Sequence, residues 1–171
     1  SCEPGLRLLS LARLSKEKNI SATIRAFEHI TREHPEATLT VAGTGEEDTS
    51  LKTLAHRLGL DDKVNFPGFA DPDEAMASHD VIMQPSKSDN CSYTLLDAVA
   101  RGMGVAASPI GGNPEILPPR CIAEADDVEA LAKVAIRQGL HLGNRPVLTD
   151  AIPTVAGMTE GISEVYREVV G

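Results

Sequence analysis

The chain has 171 residues, 42% of them hydrophobic, and a formal net charge of −9 at pH 7. These values exclude a disordered chain and fit one globular domain of a size that buries roughly 70% of its unfolded surface. The acidic balance argues against a nucleic-acid partner, because such binding depends on basic side chains that neutralise phosphates.

Short apolar segments, often β-branched, alternate with segments of helical periodicity. The predicted strands are residues 6–12, 37–42, 64–66, 81–83 and 105–107. The predicted helices are residues 20–30 behind an Asn19 cap, 51–58 ended by Gly59, 93–101 between Ser92 and Gly102, 128–135, and 162–169. This alternation predicts an α/β fold, a Rossmann-like doubly wound parallel sheet with helices on both faces. Residues 138–153, rich in Gly, Pro and Asn, predict a linker before a detachable last helix.

A charged loop follows the first predicted strand. It contains Arg13 and Lys18 just before the first helix. Ligands of doubly wound sheets bind at the carboxyl ends of the strands, so both cations are placed to hold an anion such as a diphosphate. A solvated turn is the plainer alternative.

A G-x-G pattern follows the second strand, with Gly43 and Gly45 leading into acidic residues and a helix. Asp48 occupies the place of the third glycine of the dinucleotide fingerprint, and acids in the first helical turn would repel a pyrophosphate. NAD binding is therefore disfavoured. The acids suit a helix N-terminus, while the glycines allow a ligand close to the backbone.

The fourth strand runs into a polar loop and then a helix, whose first N–H groups can bind phosphate oxygens. Asp89 lies in this loop and Asp97 in the helix. A carboxylate beside a phosphate site is suited to sugar hydroxyls rather than to phosphate. A loop cap for Asp89 and a solvated helix position for Asp97 are the alternatives. Gly111 and Gly112, after the fifth strand, form either a turn or another ligand contact.

Metal, disulfide and membrane signals are absent from the sequence. The three cysteines form no C-x-x-C pair, and the five histidines show no metal-binding spacing. No segment approaches the ~18 apolar residues of a membrane span, and residues 1–8 lack the features of a signal peptide. We therefore expect a cytoplasmic protein with reduced thiols and no metal.

Several short motifs occur in a set order: A-R-L-S-K-E-K, V-A-G-T-G, P-G-F, Q-P-S with D-x7-D, and G-G-N-P-E. This ordered set resembles the carboxyl-terminal, donor-binding domain of retaining glycosyltransferases of family 4 (group 1), which have the GT-B architecture. The chain departs from the family pattern at Ala12 and Gly104, where the family has Gly and Pro. It also has Asp at 89 and 97 where the family has Glu, and Asn-Cys-Ser at 90–92 in place of G-F-G.

The resemblance implies a site for a UDP-, GDP- or ADP-sugar. Arg13 and Lys18 would grip the diphosphate, Asp89 would contact the donor sugar, and Asp97 would contact the ribose. The implied catalytic residues are Arg13, Lys18 and Asp89. The implied donor-binding residues are Arg13, Lys18, Gly43, Gly45, Gly68, Phe69, Asp89, Asn90, Cys91, Ser92, Tyr93 and Asp97, with Gly68 and Phe69 near the base.

The resemblance also implies that no metal is needed, and that an amino-terminal acceptor domain lies outside this chain. The isolated domain would then be inactive, and the full-length protein could associate peripherally with a membrane. Two alternatives stay open. One is a noncatalytic nucleotide- or sugar-binding regulatory module on the same fold, and the other is an unrelated Rossmann-like enzyme such as a dehydrogenase or epimerase.

Overall fold

A computed structural model of the chain describes residues 3–88 and 93–147. The five apolar segments form one sheet of parallel strands in the order β3-β2-β1-β4-β5. The strands are β1 (Arg7–Leu11), β2 (Thr38–Ala42), β3 (Val64–Gly68), β4 (Val81–Gln84) and β5 (Gly104–Ala107). Every predicted strand is present, and the doubly wound parallel sheet is confirmed.

Within residues 3–88 and 93–147, six α-helices cover the two faces of the sheet. They are α1 (Ile20–Glu33), α2 (Asp48–Arg57), α3 (Pro72–Ala77), α4 (Tyr93–Ala100), α5 (Asn113–Ile116) and α6 (Val128–Leu140). Helices α1, α2 and α6 pack over one face, and α3 and α4 pack over the other. Successive strand residues point to opposite faces, so Leu8 joins the first core and Leu9 the second. This two-sided burial explains the nearly continuous apolar strands.

The longer helices α1, α2, α4 and α6 lie where periodicity predicts them, whereas α3 and α5 were not predicted. Helix α3 has six residues, too few to show a periodic stripe. It begins with a Pro at its first position, and the Asp71 carboxylate accepts a hydrogen bond from the backbone N–H of Glu74 at 3.0 Å. The predicted helix at 162–169 lies outside the described residues.

The predicted position of Asn19 at the N-terminal cap of α1 is confirmed, although its side chain does not cap the helix. Asn19 does precede α1, but its backbone is left-handed, with φ of 53°, and its side chain makes no cap hydrogen bond. Its Nδ2 instead donates to the carbonyl oxygens of Pro85 and Ala125, both at 3.0 Å. Asn19 thus ties the start of α1 to the loop after β4.

The predicted linker at 138–153 is also wrong in its first part. Helix α6 continues to Leu140, and the Gln138 side chain is buried against β5. Its Oε1 accepts a hydrogen bond from the backbone N–H of Val105 at 3.0 Å. A Cβ atom at Gly104 would lie 2.8 Å from the Gln138 carbonyl oxygen. Glycine at 104, where the resemblance expects proline, therefore lets α6 approach the edge strand.

Arg145 fastens the end of the described chain to the domain. Its buried guanidinium donates to the carbonyl oxygens of Gln138, Gly139, Gly102 and Glu3. A buried charge is stable only when its donors are satisfied, so this segment is part of the packed fold. The prediction of a linker is therefore wrong for residues 138–147, whereas the last helix, predicted to be detachable, lies outside the described residues. Residues 148–153 lie outside the described chain.

Candidate active site

The crevice predicted for a ligand lies where β1 and β4 are neighbours. The chain leaving β1 forms α1 on one face of the sheet, and the chain leaving β4 leads to α4 on the other face. Strands whose connections diverge in this way leave an opening at their carboxyl ends. The sheet order therefore places the loop that carries Arg13 and Lys18 beside the loop that leads into α4.

Backbone and side-chain hydrogen bonds join these two loops. The backbone N–H of Lys87 donates to the carbonyl oxygen of Glu17 at 2.8 Å, and Asn19 reaches Pro85 as described above. A pocket of about 250 Å³ opens beside them. Its lining residues are Ser15, Lys16, Asn19, Ile20, Ser21, Glu47, Leu51 and Lys87. Sequence reasoning did not predict Lys16 and Lys87 as site residues, because no motif gave either of them a role.

Arg13 and Lys18 lie in the loop between β1 and α1, but neither is among the residues that line this pocket. The Arg13 side chain is 71% exposed, and its nearest carboxylate oxygen, on Glu46, is 3.9 Å away, so this ion pair is weak. The pKa of the Glu17 carboxyl is lowered, chiefly because its own backbone N–H hydrogen-bonds to it, and the charges of Lys18 and Arg13 act in the same direction. Both predicted cations therefore share one short loop, and the Arg13 guanidinium is largely accessible to a ligand.

Gly43 and Gly45 pack against the loop after β1. The backbone N–H of Leu14 donates to the Thr44 carbonyl at 2.9 Å. A Cβ atom at Gly43 would lie 2.0 Å from the Ala12 carbonyl oxygen, and one at Gly45 would lie 2.4 Å from that of Leu14. This close approach of two backbones explains both glycines. Their contact with a nucleotide stays a prediction.

Gly68 is the last residue of β3, and Phe69 follows it, at the carboxyl end of the sheet beside the loop after β2. The Gly68 carbonyl accepts a hydrogen bond from the Gly43 N–H at 2.7 Å, and Gly68 has a positive φ of 82°. The Phe69 side chain is 65% exposed. The structure thus brings the predicted base-binding loop next to the glycine loop, with an accessible aromatic ring.

Asp97 lies on the inward side of α4, so its interpretation as a solvated helix residue is wrong. It is only 9% exposed, and its Oδ1 accepts a hydrogen bond from Nε of Arg101 at 3.1 Å. Arg101 also pairs with Asp73 on α3. The spacing of four residues between Asp97 and Arg101 was a readable signal for this pair. Tyr93, at the start of α4, is half-buried, while Asp89, Asn90, Cys91 and Ser92 lie outside the described residues.

Over residues 3–88 and 93–147, no group of three or more His, Cys, Asp or Glu side chains is arranged to hold a metal ion. In the same two ranges, no helix combines the length and apolar character needed to cross a membrane. Cys121 is a buried free thiol.

Curated relatives are glycosyltransferases much longer than this chain. The alpha-monoglucosyldiacylglycerol synthase of Streptococcus pneumoniae is 37% identical over 110 residues, which cover 63% of this chain and 24% of that protein. The amylovoran biosynthesis glycosyltransferase AmsK of Erwinia amylovora is 28% identical over 175 residues, which cover 95% of this chain and 42% of that protein.

Solved structures share the fold. The pneumococcal O-GlcNAc transferase GtfA, in complex with UDP and GlcNAc, has a TM-score of 0.76 at 22% identity, over 98% of this chain and 36% of that chain. The C-terminal domain of the group 1 glycosyl transferase LpcC from Francisella tularensis has a TM-score of 0.67 at 22% identity, over 82% of this chain and 85% of that chain. The family model for glycosyl transferases group 1 matches residues 3–144, so the chain belongs to that family, with the Rossmann-like fold of these GT-B enzymes.

Proposed function

We propose that this chain is the donor-binding domain of a retaining glycosyltransferase and that it binds a nucleoside diphosphate sugar. The observation that carries the proposal is the opening between β1 and β4, where the loop bearing Arg13 and Lys18 is hydrogen-bonded to the loop that leads into α4. Family membership supplies the reaction class. Solved neighbours that hold UDP with GlcNAc, or UDP with glucose, support this class of donor.

The cations would act on the leaving group. Breaking the glycosyl–phosphate bond leaves negative charge on the nucleoside diphosphate, and positive groups fixed nearby stabilise that charge more in the transition state than in the ground state. Arg13 and Lys18 would supply this charge without a metal ion. The N-terminal N–H groups of α4 would add to it, with residues 90–93 at the phosphates and the sugar.

The carboxylates and the β3 loop would recognise the rest of the donor. Asp89 would accept hydrogen bonds from hydroxyls of the transferred sugar, and Asp97 would accept them from the ribose. Backbone groups of Gly68 and Phe69 would lie near the base, with Gly43 and Gly45 along the cleft. Since the chain covers only 24% of the pneumococcal relative, we propose that another domain binds the acceptor and that this chain alone transfers no sugar.

Replacing Arg13 or Lys18 with alanine should weaken nucleoside diphosphate binding by about 1.5–3 kcal/mol, because each change removes a charged hydrogen bond to phosphate. This is roughly a 10- to 150-fold rise in Kd. Isothermal titration with UDP, GDP and ADP measures it. The matched control is Arg32→Ala, another exposed arginine, which lies near the end of α1 and pairs with Glu28. Equal affinities in Arg13→Ala, Lys18→Ala and the wild type would refute the assignment.

The second candidate, a noncatalytic module on the same fold, is favoured by the aspartates that replace both family glutamates. Sugar transfer by the protein extended to the length of its relatives separates the two candidates, since a noncatalytic module would bind nucleotide without transfer.

A further inference from the structure

Arg101 connects two carboxylates on neighbouring helices. Its Nε donates to Asp97 Oδ1 at 3.1 Å within α4, and its Nη2 donates to Asp73 Oδ1 on α3. Helix α3 begins three residues after Phe69. Arg101 therefore links Asp97, which is proposed to contact the ribose, to α3. This helix follows Phe69, which is proposed to lie near the base.

Burial makes Asp97 dependent on this arginine. A carboxylate that is 9% exposed loses most of its hydration, so its charged form needs a partner. Burial acts to lower the pKa of Arg101, but the hydrogen bonds and charges of Asp97 and Asp73 outweigh it and raise that pKa. Arg101 therefore stays charged, and its hydrogen bond to Oδ1 supplies that partner.

The same contact restricts where the carboxylate can point. An aspartate has only two side-chain dihedrals, so a hydrogen bond that holds Oδ1 also fixes the direction of Oδ2. Arg101 is itself fixed at its other end by Asp73. Among the residues that the structure describes, none donates a hydrogen bond to Asp97 Oδ2, which leaves this oxygen as an acceptor.

We infer that Arg101 is a positioning residue for ribose recognition: it holds Asp97 so that Oδ2 can accept a hydrogen bond from a ribose hydroxyl. This inference rests on the proposed function. Carboxylates at binding sites commonly depend on such supporting contacts for their orientation. If the contact only held α3 against α4, removing Arg101 would lower the stability of the fold. It would not change the preference of the chain for ribonucleotides over 2′-deoxyribonucleotides.

The test compares ribonucleotides with 2′-deoxyribonucleotides. Titrations of the 171-residue chain with UDP, GDP and ADP, and with their 2′-deoxy forms, give the ribose preference as a ratio of Kd values. We expect the wild type to prefer the ribonucleotide by about tenfold, the worth of one charge-assisted hydrogen bond. Arg101→Gln should reduce the preference to about twofold or less and leave the affinity for the 2′-deoxynucleotide nearly unchanged.

Two further variants sharpen the test. Arg32→Gln removes an arginine with the same spacing of four residues from its carboxylate, Glu28, and should leave the preference intact. Arg101→Lys keeps the charge but loses the planar guanidinium, so it should retain part of the ribose preference. This variant replaces Arg101→Gln in the test if the Gln variant does not fold. A wild type without ribose preference overturns the Asp97 assignment together with this inference. A preference that survives in both Arg101 variants overturns the role of Arg101 alone.

Discussion

Replacing Gly43 with alanine is expected to lower the free energy of unfolding by about 4 kcal/mol. The new Cβ would lie 2.0 Å from the Ala12 carbonyl oxygen, a backbone atom that cannot move without disturbing β1. The φ of 139° adds strain for any residue with a side chain. Overpacking and backbone strain each cost about 1–3 kcal/mol, so their sum is a large share of a domain's stability.

Chemical denaturation measures this loss, and two glycines serve as controls. Gly59→Ala has open space around the new Cβ but a φ of 73°, so it isolates the backbone strain, about 1–2 kcal/mol. Gly112→Ala meets nothing within 4 Å, has a φ of −86°, and should be close to neutral. A Gly43→Ala variant as stable as Gly112→Ala would show that the G-T-G loop does not pack as described.

Replacing Asp80 with asparagine is expected to lower the free energy of unfolding by about 3–4 kcal/mol. The Asp80 side chain is 1% exposed and accepts hydrogen bonds from the backbone N–H, Nε and Nη2 of Arg7 at 2.9, 3.1 and 3.0 Å. These contacts fasten the start of β1 to the start of β4. Since the Arg7 side chain is 53% exposed, the cost lies in the lower part of the range for a broken buried pair.

The Asp80 effect should depend on pH in a defined direction. Burial acts to raise the pKa of Asp80, but the hydrogen bonds and charge of Arg7, and the charge of Arg145, outweigh it and leave that pKa below its ordinary value of 3.8. A lowered pKa stabilises the fold above the unfolded value, and this stabilisation is lost as the pH falls through the folded value.

Unfolding of the wild type and of Asp80→Asn at several pH values checks this. Their stability difference should be constant from about pH 5 to 7 and should shrink below about pH 4. Asp61→Asn, which removes an exposed carboxylate beside His56, is the control and should cost less than about 1 kcal/mol. A difference that grew as the pH fell would contradict the buried pair.

The sequence pattern predicted the sheet because its strands are buried on both faces. Neighbouring residues such as Leu8 and Leu9 face different cores, so a strand is a continuous run of apolar residues. The pattern predicted the long helices because each of them buries one stripe of apolar side chains at helical spacing. It missed α3, whose only signal was the Asp71 cap and the proline after it. It also took residues 138–147 for a linker, because Gly and Pro content does not reveal that Gln138 and Arg145 are buried and bonded to distant backbone.

The candidate site was predictable in its parts. The cations, the G-T-G loop and the P-G-F loop are each near the carboxyl end of a strand, and the parallel sheet brings those ends to one edge. The sequence did not reveal the contacts between residues that are far apart along the chain. Gly43 is explained by the Ala12 carbonyl, and Asn19 spans to Pro85 and Ala125. The Arg101–Asp97 pair was readable from its spacing, but its link to Asp73 was not.

The central claim is that the opening between β1 and β4 binds the nucleoside diphosphate part of a sugar donor. Thermal unfolding of the 171-residue chain with UDP, GDP, ADP and NAD tests it most directly. A ligand that binds only the native state raises the Tm, and the rise grows with the logarithm of the ligand concentration once that concentration exceeds Kd. We expect a rise in Tm that depends on the nucleotide concentration with at least one nucleoside diphosphate, and none with NAD. A folded chain whose Tm is unchanged by all three diphosphates would contradict the account.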